Sequence, residues 1–154
     1  CRQRVHRARA RLREGRPRFH VDAQAQRRLL ERFVAALRKP TLESLQALFA
    51  EDAVAVSDGG GVARAILHPL HGAERLARLY MQIAQLTADA GLRYELRTLN
   101  GAPALLTWRD DKLFVASWVD CEDDRITAIH AIRHPDKLAR IEAVTKAQAS
   151  ASLH

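Results

Sequence analysis

The period of the hydrophobic pattern changes once along this chain, near Gly91, and that change does most to limit the folds open to it. Before Gly91, apolar residues recur at helical spacing: Leu29, Leu30, Phe33, Val34 and Leu37; then Leu42, Leu45, Leu48 and Phe49; then Leu76, Leu79, Tyr80, Ile83 and Leu86. Spacings of three and four place each set on one face of a helix. Asp22 and Thr41 stand where they can cap the first two helices, Pro40 breaks the first, and Gly91 can terminate the third. After Gly91 the period falls to two. Residues 92 to 98 alternate cleanly, and strand-like runs follow at 104 to 109, 113 to 120 and 125 to 133, separated by Asn-Gly, Asp-Asp and Glu-Asp-Asp turns. Helices followed by an antiparallel meander predict an α+β domain with helices packed on the concave side of a curved sheet.

Two stretches sit outside that pattern. A β-prone run from Ala53 to Ser57 meets Asp58-Gly59-Gly60-Gly61, whose glycines signal a tight turn, and a strand from Ala63 to His68 is expected to return from it. His68-Pro69-Leu70-His71-Gly72 then reads as a loop into the helix at Ala73. A short helix is expected from Pro135 onward, and the last eight residues, without any pattern, read as a frayed tail.

Charge divides the chain more sharply than hydropathy does. The net charge is +7, and residues 1 to 19 account for all of it, with eight arginines against Glu14 alone. From residue 20 onward 17 basic and 17 acidic side chains cancel. Any affinity for phosphate therefore belongs to the N-terminal segment and not to the domain behind it. Within that segment Cys1, Val5, Ala8 and Leu12 form one apolar stripe of a helix, which Gly15 and Pro17 stop. Six arginines and no acid in the first thirteen residues lack the opposite charges that support an exposed helix. Contact with a polyanion supplies the reason for such repulsion, and Arg2, Arg4, Arg7, Arg9 and Arg11 are the candidates to meet backbone phosphates of DNA.

Composition narrows the remaining classes. Cys1 and Cys121 are too few for a disulfide framework or a zinc site, which fits a reducing cytoplasm, and the histidines lack partners at metal-ligand spacing. No metal and no cofactor is expected. No apolar run approaches the roughly 20 residues that span a bilayer, so no membrane role is expected either. A chain that begins with Cys rather than Met is expected to have lost what preceded it.

Several side chains are candidates for chemistry. His130 is read on a strand face with Ile126, Ala128 and Ile132, where a lone histidine is more often a satisfied core residue. Asp58 could serve as a general base with His130 as its partner, although an Asp before three glycines is also an ordinary turn opener. Tyr80, Tyr94, Trp118 and His130, and with them Trp108, are candidates to line a pocket, most of them core by default.

Four stretches carry a resemblance: residues 2 to 12 (Arg-Gln-Arg-Val-His-Arg-Ala-Arg-Ala-Arg-Leu), Arg-Pro-Arg-Phe at 16 to 19, Asp-Gly-Gly-Gly at 58 to 61, and Pro-Asp-Lys-Leu at 135 to 138. In this order they resemble the SnoaL-like branch of the nuclear-transport-factor-2-like superfamily, in the form appended to one group of extracytoplasmic-function sigma factors. The resemblance implies that residues 1 to 14 are the distal part of a region 4 recognition helix, 15 to 21 a linker, 22 to 141 a SnoaL-like domain and 142 to 154 a tail. It implies a cone-shaped fold preceded by a basic helix, promoter DNA as partner of that helix, and RNA polymerase and the sigma core as partners of the domain. A homodimer of the SnoaL-like domain is a further expectation. Regulatory contacts would fall on Asp58, Gly59, Gly60 and Gly61 and on Pro135, Asp136, Lys137 and Leu138. The chain departs from the family in two places, with His134 where Asn usually precedes Pro-Asp-Lys-Leu, and Val62 where a basic residue usually follows the glycines. On this reading the domain regulates initiation and is not an enzyme. The alternatives are a small SnoaL-like enzyme of the polyketide cyclase or ketosteroid isomerase type, using Asp58 and His130, and a ligand-binding sensor.

Overall fold

The computed structural model describes residues 19–58 and 69–152. The arginine segment, the three glycines after Asp58 and the strand expected at residues 63 to 68 lie outside the described residues.

Helix α1 runs Phe19–Arg38 and α2 runs Leu42–Gln46. The first begins ahead of Asp22, so that residue does not cap it, and the stretch read as linker up to residue 21 enters the helix. At Thr41 the expectation holds: its hydroxyl accepts from the Ser44 backbone N–H at 3.1 Å, and the Ser44 side chain meets the Thr41 backbone in return. Phe49, read as the inward end of this helix, instead opens strand β1 (Phe49–Asp58), where it is fully buried.

Strand β2 is only Leu70–His71, inside the stretch read as a loop, and it pairs antiparallel with β1. Helix α3 (Ala73–Leu86) follows, and its chain turns at Gly91 with φ +65. Strands β3 (Arg93–Leu99), β4 (Ala102–Arg109), β5 (Lys112–Glu122) and β6 (Arg125–Ile132) form the predicted meander. Its tight turns have left-handed residues at Asn100 and Gly101, at Asp110 and Asp111, and at Asp123 and Asp124. Paired positive φ values match the twist of the strands they join, which is why Asn, Asp and Gly occupy these sites.

The sheet order is β2-β1-β6-β5-β4-β3. It is mixed rather than wholly antiparallel, because β1 pairs parallel with β6. Phe49 pairs with Ile126 and the Ile126 backbone N–H donates to the Leu48 carbonyl at 2.8 Å, so both strands start from one end. A parallel pair needs a long crossover, and α3 with the first three meander strands provides it.

Neighbouring strand residues in register share a face, and the buried side chains divide accordingly. On the inner face α1, α2 and α3 cover Leu105 of β4, Val119 and Cys121 of β5, and Ile126 and Ile129 of β6. Phe33, Phe49 and Tyr80 meet there, with Phe33 edge-on to Phe49 at 6.3 Å and to Tyr80 at 5.0 Å. On the outer face Leu99, Ala104, Leu106, Trp108, Leu113 and Ala116 are buried with Leu138 of helix α4 (Pro135–Ser152). The residues past 141, read as a tail, are a continuation of this helix through Ser152, and Thr145 within it is only 3% exposed. Alanines at 143, 147, 149 and 151 favour helix strongly enough to carry it without a regular apolar stripe.

Candidate functional site

A bulge in β6 decides where the site residues point. Cys121 pairs with Ile126 but Asp120 with Ala128, which leaves Thr127 as an extra residue and reverses the facing of everything after it. Ile126 therefore points inward, whereas Ala128, His130 and Ile132 point outward. The sequence reading that put His130 on one face with Ile126 is corrected by that single inserted residue.

Register then lines up the outer face. Val56, His130 and Trp118 form one row across β1, β6 and β5, and Asp58, Ile132 and Ala116 form the next. Asp58 closes the end of β1, where its backbone carbonyl accepts from the Arg133 N–H at 2.7 Å. Its carboxylate takes an ion pair and hydrogen bond from Lys137 Nζ of α4. Asp58 and Lys137, one from each of the two stretches singled out for regulatory contact and 79 residues apart in sequence, thus meet at one end of the outer face. Both partners are about half exposed, with side-chain accessibilities of 51% for Lys137 and 42% for Asp58, so the pair stands on the surface. Gly59, Gly60 and Gly61 lie outside the described residues, as do Arg2, Arg4, Arg7, Arg9 and Arg11.

Helix α4 begins at this same place. Pro135 is its first residue, suited to it because a first-turn position needs no N–H. His134 precedes it, and the Asp136 backbone N–H donates to His134 Nδ1 at 3.2 Å, while the His134 carbonyl accepts from the Leu138 N–H at 2.9 Å. His134 is therefore the N-cap. Leu138, 8% exposed, is the first apolar anchor of the helix on the sheet. Glu142 is the second attachment, its Oε1 accepting from the Leu113 N–H of β5 at 2.8 Å.

His130 sits partly buried behind this end. Its Nε2 is buried and has no hydrogen-bond partner among the described residues, and burial holds the imidazole below the ordinary histidine range. A buried nitrogen without a partner is tolerable when uncharged and costly when protonated.

The four residues proposed to line one pocket are not brought together. Tyr80 and Tyr94 pack with the inner-face cluster, while Trp118 packs with the outer-face cluster and His130 lies beside it in register. Burial pushes the Tyr80 phenol far above its usual value; at Tyr94 burial also raises it, opposed by the Arg38 guanidinium 6.0 Å from its ring. Trp108 is outer-face core, its Nε1–H bonded to Glu95 Oε1 at 3.0 Å and its ring covered by Arg93 at 5.3 Å. Asp58 and His130 share the outer face, so neither aims into the helix-covered interior where an acid–base pair would enclose a substrate.

Three structural residues escaped the sequence reading. Gln26 is 4% exposed and donates through Nε2 to the Val119 carbonyl at 2.9 Å. Its signal was available, since position 26 falls on the apolar stripe of 29, 30, 33 and 37. His134 registered only as a departure from Asn. Glu142 left no local signal at all, because its partner is on strand β5, 29 residues away in the chain.

No family model matches the sequence, and no curated protein matches it. Solved structures do. A protein of Mesorhizobium loti titled NTF2-like and of unknown function superposes with TM-score 0.52 at 18% identity, covering 72% of this chain and 92% of its own. One from Pseudomonas putida KT2440, titled likewise, gives 0.52 at 15%, covering 73% and 87%. The fold is NTF2-like. The extracytoplasmic-function sigma factor SigJ of Mycobacterium tuberculosis superposes on this NTF2-like chain with TM-score 0.60 at 20% identity, over 84% of this chain. This chain spans 47% of the length of that protein. Among the described residues no group of His, Cys, Asp and Glu is placed to hold a metal, and no helix is long and apolar enough to cross a membrane.

Proposed function

We propose that this chain is the C-terminal part of an extracytoplasmic-function sigma factor, in which the NTF2-like domain regulates promoter-dependent initiation by docking on the sigma core and polymerase. The Asp58–Lys137 pair carries the reading. It joins one residue from each of the two stretches that resemble family signatures at one end of the outer face, where both side chains are half exposed and a partner can reach them. The likeness of the fold to SigJ supports it, and so does the concentration of all net charge in residues 1 to 19, which suits contact with promoter phosphates. That Asp58 and His130 face away from the interior favours contact over acid–base catalysis.

The test is promoter-specific transcription by the full-length gene product with RNA polymerase, comparing Asp58→Lys, Lys137→Asp and the double charge swap. Each single change should alter initiation, and the swap should restore it toward wild type. A full-length product that never binds polymerase would refute the sigma reading, and singles with wild-type activity would refute the role of this end of the domain.

A further inference from the structure

Strand β3 ends the sheet, with β4 on one side and, among the described residues, no strand on the other. Among those residues no backbone hydrogen bond reaches it from outside the β3–β4 ladder. An edge strand offers its free N–H and C=O groups as a template for another strand, and proteins commonly block such edges with a bulge, a proline or an inward-pointing charge. β3 has none of these: its seven residues pair with β4 without a shift in register and include no proline. Register assigns its side chains to faces. Arg93, Glu95, Arg97 and Leu99 lie on the outer face, opposite Trp108, Leu106, Ala104 and Ala102, while Tyr94, Leu96 and Thr98 lie on the inner face and carry no charge. The outer row therefore alternates in sign at Arg93, Glu95 and Arg97, and Arg97 Nε already holds Glu95 Oε2 at 3.1 Å. We propose that β3 is a self-complementary edge, which pairs antiparallel with β3 of a second copy of this chain about a two-fold axis at Leu96.

The register follows from the strand itself. A two-fold axis perpendicular to the sheet keeps both outer faces on one side, and centring it on Leu96 pairs the whole strand: 93 with 99, 94 with 98 and 95 with 97 of the second copy. Glu95 then lies opposite Arg97 of the second copy, and Arg97 opposite its Glu95. Directly opposed Cβ atoms stand about 4.5–5.5 Å apart and diagonal neighbours about 7–8 Å. Each arginine thus has one glutamate along its own strand and another across the junction, and the like charges of these two pairs meet only on the longer diagonals. On the inner face Leu96 meets its own copy and Tyr94 meets Thr98, an aromatic side chain against a β-branched one. Moving the axis to Glu95 or to Arg97 sets like charges directly opposite each other, which destabilises a strand pair. Moving it to Tyr94 matches Arg93 with Glu95 but pairs only residues 93 to 95 of the strand. The register that uses all of β3 is therefore also the one in which the charges match. From residue 20 onward basic and acidic side chains cancel, so two such domains approach without net repulsion. Asp58 on β1 stays clear of the junction, because β6, β5 and β4 lie between.

The experiment is sedimentation velocity of the whole chain at concentrations rising to about 200 μM, in wild type, Arg97→Glu and Arg97→Lys. Wild type should pass from monomer to dimer over this range. Arg97→Glu should raise the dissociation constant roughly tenfold or more, because the two-fold axis makes the like-charge contact occur twice, while Arg97→Lys should stay within a few-fold of wild type. Register is tested by oxidative crosslinking of single cysteines in a Cys1→Ser background. Leu96→Cys sets two thiols face to face at the axis and should form a dimer disulfide. Thr98→Cys should not, since the two copies of that position are four residues apart along the strands, roughly 13 Å. A wild type that stays monomeric throughout, an Arg97→Glu that dimerises as tightly as wild type, or crosslinking at Thr98→Cys as ready as at Leu96→Cys would each overturn the proposal. Should Arg97→Glu fail to fold, the two cysteine variants decide alone. None of these measurements involves polymerase or the Asp58–Lys137 pair, so their outcome is independent of the sigma reading.

Discussion

Truncating Leu138 to alanine tests whether α4 is held on the outer face by the contacts seen there. Leu138 is 8% exposed and packs in the cluster of Leu99, Ala104, Leu106, Trp108, Leu113 and Ala116. Leucine-to-alanine changes in cores cost about 2–5 kcal/mol, and a site beneath a single surface helix can partly close, which places this one near the lower end, about 2–3 kcal/mol. Domains of this size are stable by only about 5–15 kcal/mol, so the loss is large. With urea slopes of about 1–3 kcal/mol per molar, the midpoint should fall by roughly 1–2 M. Both tryptophans, Trp108 and Trp118, belong to this same cluster or pack against it, so their fluorescence reports the α4 side and not the interior. The expected result is an earlier fluorescence transition with a red-shifted native emission from the uncovered indoles. Val144, 51% exposed on the same helix, supplies the control, because its change to alanine should stay within about 0.5 kcal/mol. If Leu138→Ala also falls within that margin with unshifted emission, α4 is not anchored as described and the contact surface built on it fails.

Other outcomes follow from single observations. Burial holds the His130 imidazole below its usual value, so the folded state resists the proton more than the unfolded chain does. Its stabilising contribution is complete above about pH 6.5 and is lost as pH falls from there through the lowered folded value; denaturant midpoints measured across that window should decline in wild type and decline less in His130→Gln. At the β4–β5 turn Asp110 and Asp111 both carry positive φ, 50° and 63°, so Asp111→Gly should stabilise by a few tenths of a kcal/mol, up to about 1, with a higher thermal midpoint as the check. The charge-swap series at Asp58 and Lys137 should shift stability by no more than about 1 kcal/mol because both groups are half exposed, while initiation changes; equal losses of folding and function would assign the pair a structural role instead.

Much of this molecule is legible one segment at a time. Thr41 announces its helix because a hydroxyl before Leu42 can satisfy a free N–H three residues on, and Asn100-Gly101 announces a hairpin because few residue pairs accept two positive φ values. The spacing of Phe49 from Leu45 and Leu48 is helical, and burial on the sheet overrides that local pattern. The site was legible as two short stretches, Asp58 to Gly61 and Pro135 to Leu138, but the contact of Asp58 with Lys137 was not, since no period links residues 79 positions apart.

What the sequence determined by itself was the class of elements and their order, along with the separation of a basic segment from a neutral domain. Hydrophobic period and turn chemistry are properties of neighbours along the chain, so they can be read there. That β1 runs parallel beside β6, that α4 covers the outer face and that His130 turns away from the interior emerges from packing between distant segments. Each of these depends on register between distant strands, and one bulged residue at Thr127 is enough to exchange the faces of everything that follows it.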